Sequence, residues 1–394
     1  MYIWQQPEWN PLRGKGQSNS LPPAFIWQIA ELQTQLNKIR LLQGRLLGQS
    51  DLVMPDADQQ AHMDALIQSA LKTSEIEGEI LNLGSVRSSV ARKLGLENAG
   101  FVTDLKDPPG TPQTKALVNL LLEATQVSGE GGQITQHTLC QWQAALFAEP
   151  PLLSEIRIGE LRGQHPMQVV SGRVDRPIVH FEAPPREQLD QELERFIHWF
   201  NHPPDELDLL LRAGIAHLWL ITLHPFDDGN GRVCRAVTDR ALAQAERSSI
   251  RFYSLSAAIM ARRNEYYDQQ ERTQKGDLDI TPWLSWFLFV LEDALNQGLA
   301  RFQRVVDKTR FWQRHSQTVL SERQIKVLNR LLDGLGEEFQ QGINASKYMS
   351  LAKVSKATAT RELTDLLQKQ CLIKLAGGGR STRYMVNVAS TDNG

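Results

Sequence analysis

The longest apolar run in the chain is AGIAHLWLITL, Ala213 to Leu223, and the segment HPFDDGNGRVCR, His224 to Arg235, follows it without a break. The run is too short to cross a bilayer, which needs about 20 residues. It reads instead as the end of an apolar helix over Glu206–Leu223, with a second helix over Arg232–Glu246. A fold for this chain must therefore set one histidine, two aspartates, a Gly-Asn-Gly and two arginines at the mouth of a buried helix.

These residue types suit one chemistry. Gly229 and Gly231 let the backbone adopt conformations that turn successive N–H groups inward, and the following helix adds its unpaired N–H groups and positive dipole end. That makes an anion site, most naturally for phosphates, to which Asn230 can add a side-chain donor. Arg232 and Arg235 are three residues apart and share a helix face, which suits more than one phosphate. Asp228 beside phosphates makes sense if Mg²⁺ bridges them. His224, pinned by Pro225, can be neutral at pH 7 and accept a proton from a hydroxyl. Base, metal and phosphates together point to group transfer from a nucleoside triphosphate.

A second carboxylate needs an explanation. In LKTSEIEGEIL, residues 71–81, Glu75 and Glu79 read as a solvated i,i+4 pair on a helix. If the helix that starts near Asp56 continues, Glu77 instead extends the apolar line of Met63, Leu66 and Ala70. An unpaired charge on such a stripe is costly, and an arginine of the phosphate site is the natural partner.

At 394 residues the chain has room for two or three domains. Hydrophobic content of 41%, charged content of 22% and a net charge of −2 are those of a globular protein with no global field toward nucleic acid or membrane. Cys140, Cys234 and Cys371 are far apart and form no C-x-x-C, which argues against disulfides or zinc and fits a reducing cytoplasm. The first residues lack a signal-peptide pattern. Helical periodicity further predicts helices at 24–48, from Asp56, from Gly84 or Ser85, at 112–127, at 135–148 capped by Thr135, and at Glu187–Asn201, Ser254–Lys275 and Pro282–Trp312. Residues 1–22 read as an irregular arm with at most one short strand, and 153–185 as a hairpin. Trp142, Trp199, Trp219, Trp283 and Trp286 are assigned to the core.

The C-terminal stretch has the order of a helix–turn–helix followed by two strands. Between Lys347 and Arg383 it carries eight Lys/Arg against two acids, Glu362 and Asp365. Lys353, Lys356 and Arg361 fall in or before the recognition helix, and Arg380 and Arg383 flank the wing. DNA is one partner this suits; protein docking or dimerisation is the other.

The segment His224–Arg235 resembles the Fic-family signature, H-P-F-x-[D/E]-G-N-G-R-x-x-R. His224, Pro225, Phe226, Asp228, Gly229, Asn230, Gly231, Arg232 and Arg235 match each fixed position. The resemblance implies a mainly α fold, a Fic-type helical bundle with a β-hairpin flap, here with a C-terminal winged helix-turn-helix. The expected domains are an N-terminal helical region at 1–110, a catalytic domain at 111–312 and a winged-helix-like domain at 313–394. It implies protein adenylylation with ATP and Mg²⁺: His224 as base, Asp228 on the metal, Gly229 to Arg232 around the phosphates and Arg235 on the γ-phosphate. Relatives that work as phosphotransferases alter the Gly-Asn-Gly-Arg, which is intact here.

By the same resemblance Val169 and Val170 lie on the flap that holds a target segment, although valines in a strand also simply pack. Tyr266, Tyr267 and Gln274 match the stretch lining the adenine pocket. Thr73, Glu77 and Gly78 match the inhibitory motif [S/T]-x-x-x-E-[G/N], whose glutamate takes the second motif arginine, here Arg235, in place of the γ-phosphate. The implied partners are a target protein with a Ser, Thr or Tyr hydroxyl, the chain itself, and a second copy in a homodimer. Two competing readings remain: a DNA-binding regulator whose Fic core senses nucleotide, and a transferase with another nucleotide donor.

Overall fold

A helix that is apolar all round needs neighbours on every side, and the run at 213–223 has them. The computed structural model describes residues 1–9, 22–50, 55–96, 107–127, 132–149, 156–173, 176–334, 338–339, 341–376 and 382–388. Outside it lie most of the expected arm (10–21), parts of the expected hairpin (153–155 and 174–175), the side chain of Asp56 and the wing residue Arg380.

Two 3₁₀ turns, Ile3–Gln5 and Pro7–Trp9, precede α1 (Ile29–Ser50), α2 (Pro55–Ile76), α3 (Leu83–Lys93), α4 (Pro112–Ala124) and α5 (Gln136–Leu146). A hairpin, β1 (Gln168–Arg173) and β2 (Arg176–Glu182), leads to α6 (Arg186–Asn201), α7 (Leu209–Leu223), α8 (Asn230–Glu246), α9 (Leu255–Ala261), α10 (Arg263–Gln274) and α11 (Thr281–Arg314). Then come α12 (Glu322–Asp333), α13 (Ala345–Ala352), α14 (Lys356–Gln368), β3 (Leu372–Lys374) and β4 (Tyr384–Val386). The chain divides into two units: Met1–Asp51 with His62–Gly298, and Leu52–Ala61 with Leu299–Gly394. Among the described residues no helix is long and apolar enough to cross a membrane.

In the first unit every residue of α7 from Leu210 to Leu223 is buried, Arg212, His217 and Thr222 included. Buried polar groups need partners. Arg212 donates to Phe200 O and Gln244 Oε1, His217 sits between Thr238 and Tyr266, and Thr222 donates to Leu218 O. Gly214 allows the close approach of α11: a Cβ there would lie 2.9 Å from Leu284 Cδ2 and from Phe287 Cδ1. The five tryptophans assigned to the core are buried. Trp219 is ringed by Trp9, Phe25, Phe196 and Trp199.

Three expectations change. The described part of the N-terminal arm is docked: Ile3 and Trp9 are buried, and Trp9 donates to Glu192 Oε2 at 3.0 Å. Its described residues form the two 3₁₀ turns, and the parallel bridge of Ile26 with Asp279 falls in the stretch expected to be helical from 24. The helix expected at Ser254–Lys275 breaks at Arg262, whose φ of −127° ends α9 and whose guanidinium is drawn to Asp293 at 2.6 Å. Among the described residues the hairpin strands run only over 168–173 and 176–182, with a register shift between Val169 and Val170. Thr135 does cap α5, accepting from Thr138 N.

The second unit has its own core, including Phe311, Val327, Leu331, Tyr348, Leu363, Leu366 and Val386. Buried Glu362 of α14 is satisfied by Tyr348 Oη at 2.8 Å and by Arg323. β3 pairs antiparallel with β4, and Ile343 bridges to Tyr384.

Candidate active site

The motif bridges α7 and α8, and its backbone is unusual at two points. His224 caps α7 in the left-handed region, φ 49°, a conformation costing a non-glycine residue about 1–2 kcal/mol. Gly229, φ 87°, starts α8, and a Cβ there would come 3.0 Å from Leu146 Cδ1. Two side chains hold the loop between them. Asn230 accepts from Phe226 N at 2.9 Å and donates to Phe226 O at 2.7 Å. Gln143, fully buried, accepts from Gly159 N at 2.6 Å and donates to Asp228 O at 3.3 Å. The Asn230 amide, expected as a phosphate donor, is thus spent on closing the loop. What Asn230 offers an anion is its backbone N–H at the start of α8.

His224 Nδ1 lies 3.0 Å from Ile221 O. A carbonyl only accepts, so Nδ1 carries the hydrogen and Nε2 keeps its lone pair. Burial holds the His224 pKa below its ordinary value. Arg162 adds to that, while the Ile221 bond, Glu77 and Asp228 oppose it. The ring is therefore a neutral base at pH 7. Asp228 is half exposed and accepts from Gly229 N at 2.5 Å, with Arg232 Nη2 3.9 Å away. Asp227 accepts instead from Arg157 N at 3.1 Å.

The two arginines are nearly sealed from water, and both are engaged by the segment that ends α2. Arg235 Nε donates to Thr73 Oγ1 at 2.9 Å; its Nη2 donates to Thr73 O at 2.9 Å and Glu77 Oε1 at 2.8 Å. Arg232 Nη1 donates to Glu79 Oε1 at 2.8 Å. Burial pulls the Arg235 pKa down, but Glu77, Tyr266 and Tyr267 more than offset it, leaving it raised. Glu77 Oε1 also sits where a Cβ on Gly231 would be, 2.3 Å from that position. A carboxylate thus lies on the glycine at the start of α8, where the sequence suggests an anion. Buried Nη1 of Arg235 and Nε of Arg232 have no hydrogen-bond partner among the described residues.

This corrects two readings of residues 71–81. Glu77 is not on a helical stripe, because α2 stops at Ile76 and Gly78, φ 86°, turns the chain. Glu79 is not part of a solvated pair: Glu75 pairs with Lys72, and the turn at Gly78 carries Glu79 to Arg232. The end of α2 is held by α10, since Ile76 O accepts from Arg263 Nε at 2.7 Å and Tyr267 Oη at 3.1 Å.

The other expected residues separate. Tyr266 is buried against His217 Nε2 at 2.9 Å, and Gln274 is buried against Thr222 Oγ1 at 3.3 Å. Thr238 Oγ1 donates to Cys234 O, so it accepts from His217 Nδ1, and His217 Nε2 accepts from Tyr266 Oη. Burial, with Arg235 nearby, lowers His217 to about 3. On the hairpin Val169 is half-buried opposite Phe181, whereas Val170, Ile178 and Val179 are exposed. The hairpin is tied to α10 by His180 Nδ1 and Glu271 Oε2, 2.7 Å apart. Four residues that complete this geometry carry no local sequence signal: Gln143, Arg162, Arg263 and, once the helix is read through Gly78, Glu79.

Residues 133–242 match the model of the Fic/DOC family, and residues 2–96 match a domain of unknown function, DUF4172. The protein adenylyltransferase Fic of Nematostella vectensis is 25% identical over 243 residues, covering 60% of this chain and 49% of that protein. The chain therefore spans about half the length of that relative. A uridine 5'-monophosphate transferase of Xanthomonas campestris pv. campestris (strain 8004) is 40% identical over 65 residues, 15% of this chain and 12% of that protein. The crystal structure of a Fic family protein from Desulfovibrio desulfuricans G20 aligns with a TM-score of 0.51 at 18% identity, covering 90% of this chain and 95% of that one, a likeness of fold. The complete signature, seated between α7 and α8, lies within the stretch that matches the Fic/DOC model, so residues 133–242 form a Fic/DOC-family domain.

Proposed function

We propose that the chain is a protein adenylyltransferase, moving AMP from ATP to a hydroxyl of a target protein or of itself, and that Glu77 holds it inactive in the state described. The observation that carries this reading is the Glu77 carboxylate on Gly231 and Arg235, an anion already in the place the motif offers to phosphate. The orphaned Nη1 of Arg235 and Nε of Arg232 are spare donors for a larger anion with more oxygens. Arg232 with the N-terminal N–H groups of α8 suits the inner phosphates, and Arg235 suits the γ-phosphate.

Among the described residues no group of three or more His, Cys, Asp and Glu could hold a metal ion. The single half-exposed Asp228 fits Mg²⁺, which is commonly held by one or two carboxylates plus the phosphates of a bound nucleotide. When bound there, the ion would offset phosphate charge. In the reaction His224 Nε2 takes the proton of the attacking hydroxyl. That oxygen forms a bond to the α-phosphorus, and the bond to the bridging oxygen breaks, releasing pyrophosphate. The exposed edge of the β1–β2 hairpin, with Val170, Ile178 and Val179, suits a target segment added as a strand. Glu79 on Arg232 adds a second carboxylate to the hold on the site. A transferase using another nucleotide donor would show label from that donor and not from ATP.

A second reading rests on the C-terminal unit, where Lys353, Lys356 and Arg361 are all exposed at or near the start of α14. There the chain is a DNA-binding regulator and the Fic core a nucleotide sensor. ATP labelled at the α- or the γ-position separates the cases: protein label from α alone is adenylylation, from γ alone is phosphotransfer, and none in Glu77→Gly favours the regulator.

A further inference from the structure

Arg162 belongs neither to the signature nor to the hairpin strands, yet it touches the first residues of the one and the segment just after the other. Its side chain is buried, 1% exposed. Nε donates to His224 O at 2.9 Å and Nη2 donates to Pro184 O at 2.5 Å. Its backbone N–H donates to Pro225 O at 2.9 Å, and its own carbonyl accepts from Arg186 Nε at 2.9 Å. One residue therefore grips two successive carbonyls of the motif loop and one carbonyl two residues beyond β2.

His224 needs such a grip. It sits at the C-terminus of α7, where the last carbonyls have no helical partner, and its left-handed backbone persists only if the surroundings hold it. The carbonyl of the strained residue is the one that Arg162 satisfies. A guanidinium is suited to the task because its planar fork presents fixed donors in two directions. A lysine ammonium can satisfy one of the two carbonyls, but it cannot fix the separation between them.

We propose that Arg162 is a positioning residue, whose guanidinium ties the catalytic loop at His224 to the base of the hairpin at Pro184. It thereby sets the distance between the base and a target strand docked on the hairpin. This rests on reading His224 as the base of adenylyl transfer. Both arms of the guanidinium are engaged by backbone carbonyls, His224 O and Pro184 O, so its loss is expected to act on turnover rather than on ATP affinity.

The test compares Arg162→Lys and Arg162→Met in the Glu77→Gly background, using self-labelling from α-labelled ATP. A base displaced by about 1 Å costs roughly 100-fold in rate. Arg162→Lys is expected to lose kcat on that scale, to keep KM for ATP within about twofold, and to melt close to its parent. Arg162→Met is expected to lose kcat similarly and to melt lower. Turnover in Arg162→Lys within about threefold of the parent overturns the proposal, and so does a loss that only follows melting temperature in both variants. Hydrogen exchange is read in the same proteins over 218–227 and 176–186. Both segments should exchange faster together in Arg162→Lys; unchanged exchange overturns the tie. If the Glu77→Gly parent takes no label, the adenylylation reading has failed, and the exchange result alone decides whether Arg162 couples hairpin and loop.

Discussion

Replacing Glu77 with glycine removes one partner of an ion pair whose other partner is 2% exposed. Stripping a partner from a fully buried pair costs about 3–5 kcal/mol. Arg235 here keeps its bonds to Thr73 Oγ1 and O, and the Glu77 side chain is 30% exposed, so the loss is smaller. One charge-assisted bond is worth about 1.5–3 kcal/mol. At about 2 °C per kcal/mol for a unit of this size, the nucleotide-free variant melts a few degrees below the parent. The same bond, no longer competing with the γ-phosphate, returns as ATP affinity or labelling rate, a gain of roughly 10- to 150-fold. Self-labelling with α-labelled ATP and melting with and without MgATP read both halves. The variant should start lower and gain more from ATP. Equal labelling together with equal ATP-induced stabilisation would refute the idea that this pair holds the site closed.

Three further outcomes follow from the same contacts. Glu79→Gln frees Arg232, but Glu79 is 38% exposed, so the released energy is that of a partly screened pair, about 0.2–1 kcal/mol, and nucleotide affinity rises no more than roughly fivefold. Because Arg232 is assigned to the inner phosphates, ADP should gain as much as ATP, and a gain confined to ATP contradicts the assignment. Burial holds His217 at about 3, so below pH 6.5 the unfolded chain takes a proton that the folded one refuses. Stability is therefore full above pH 6.5 and falls with pH by about 1.4 kcal/mol per pH unit from this residue until about 3; urea unfolding of His217→Gln should show a shallower slope, and parallel slopes would count against it. If the C-terminal unit binds DNA, the full chain shifts duplex DNA at low salt, loses it as salt rises and loses it in Lys356→Glu/Arg361→Glu; no shift at low salt removes that reading.

Much of this was legible because it is local. The helix at 209–223, the motif after it and the Thr135 cap follow from short-range pattern, and five tryptophans could be assigned to the core without knowing their neighbours. Glu77 stood out because a carboxylate on an apolar line demands a partner. The geometry behind that argument was wrong, since the helix ends one residue earlier and Gly78 makes the turn. Glu79 was misread for the same reason: i,i+4 spacing has meaning only while the helix lasts. The break at Arg262 has no glycine or proline to announce it, and the Arg262 side chain is paired with a distant aspartate, Asp293. Arg162 and Gln143 bind backbone carbonyls, which every residue type presents, so their partners leave no trace in sequence. Asn230 shows the converse, a residue with a plain reason to face phosphate whose amide is spent on Phe226.

The central claim is that Glu77 keeps a competent AMP-transfer site closed. The most direct measurement is protein-bound label from α-labelled and, separately, γ-labelled ATP in wild type, Glu77→Gly and Glu77→Gly/His224→Ala, with mass spectrometry of the labelled residue. The account predicts α-label only, strong in Glu77→Gly, weak in wild type and absent in the double variant, on a Ser, Thr or Tyr hydroxyl. Label from the γ-position, or α-label that survives the loss of His224, would contradict it.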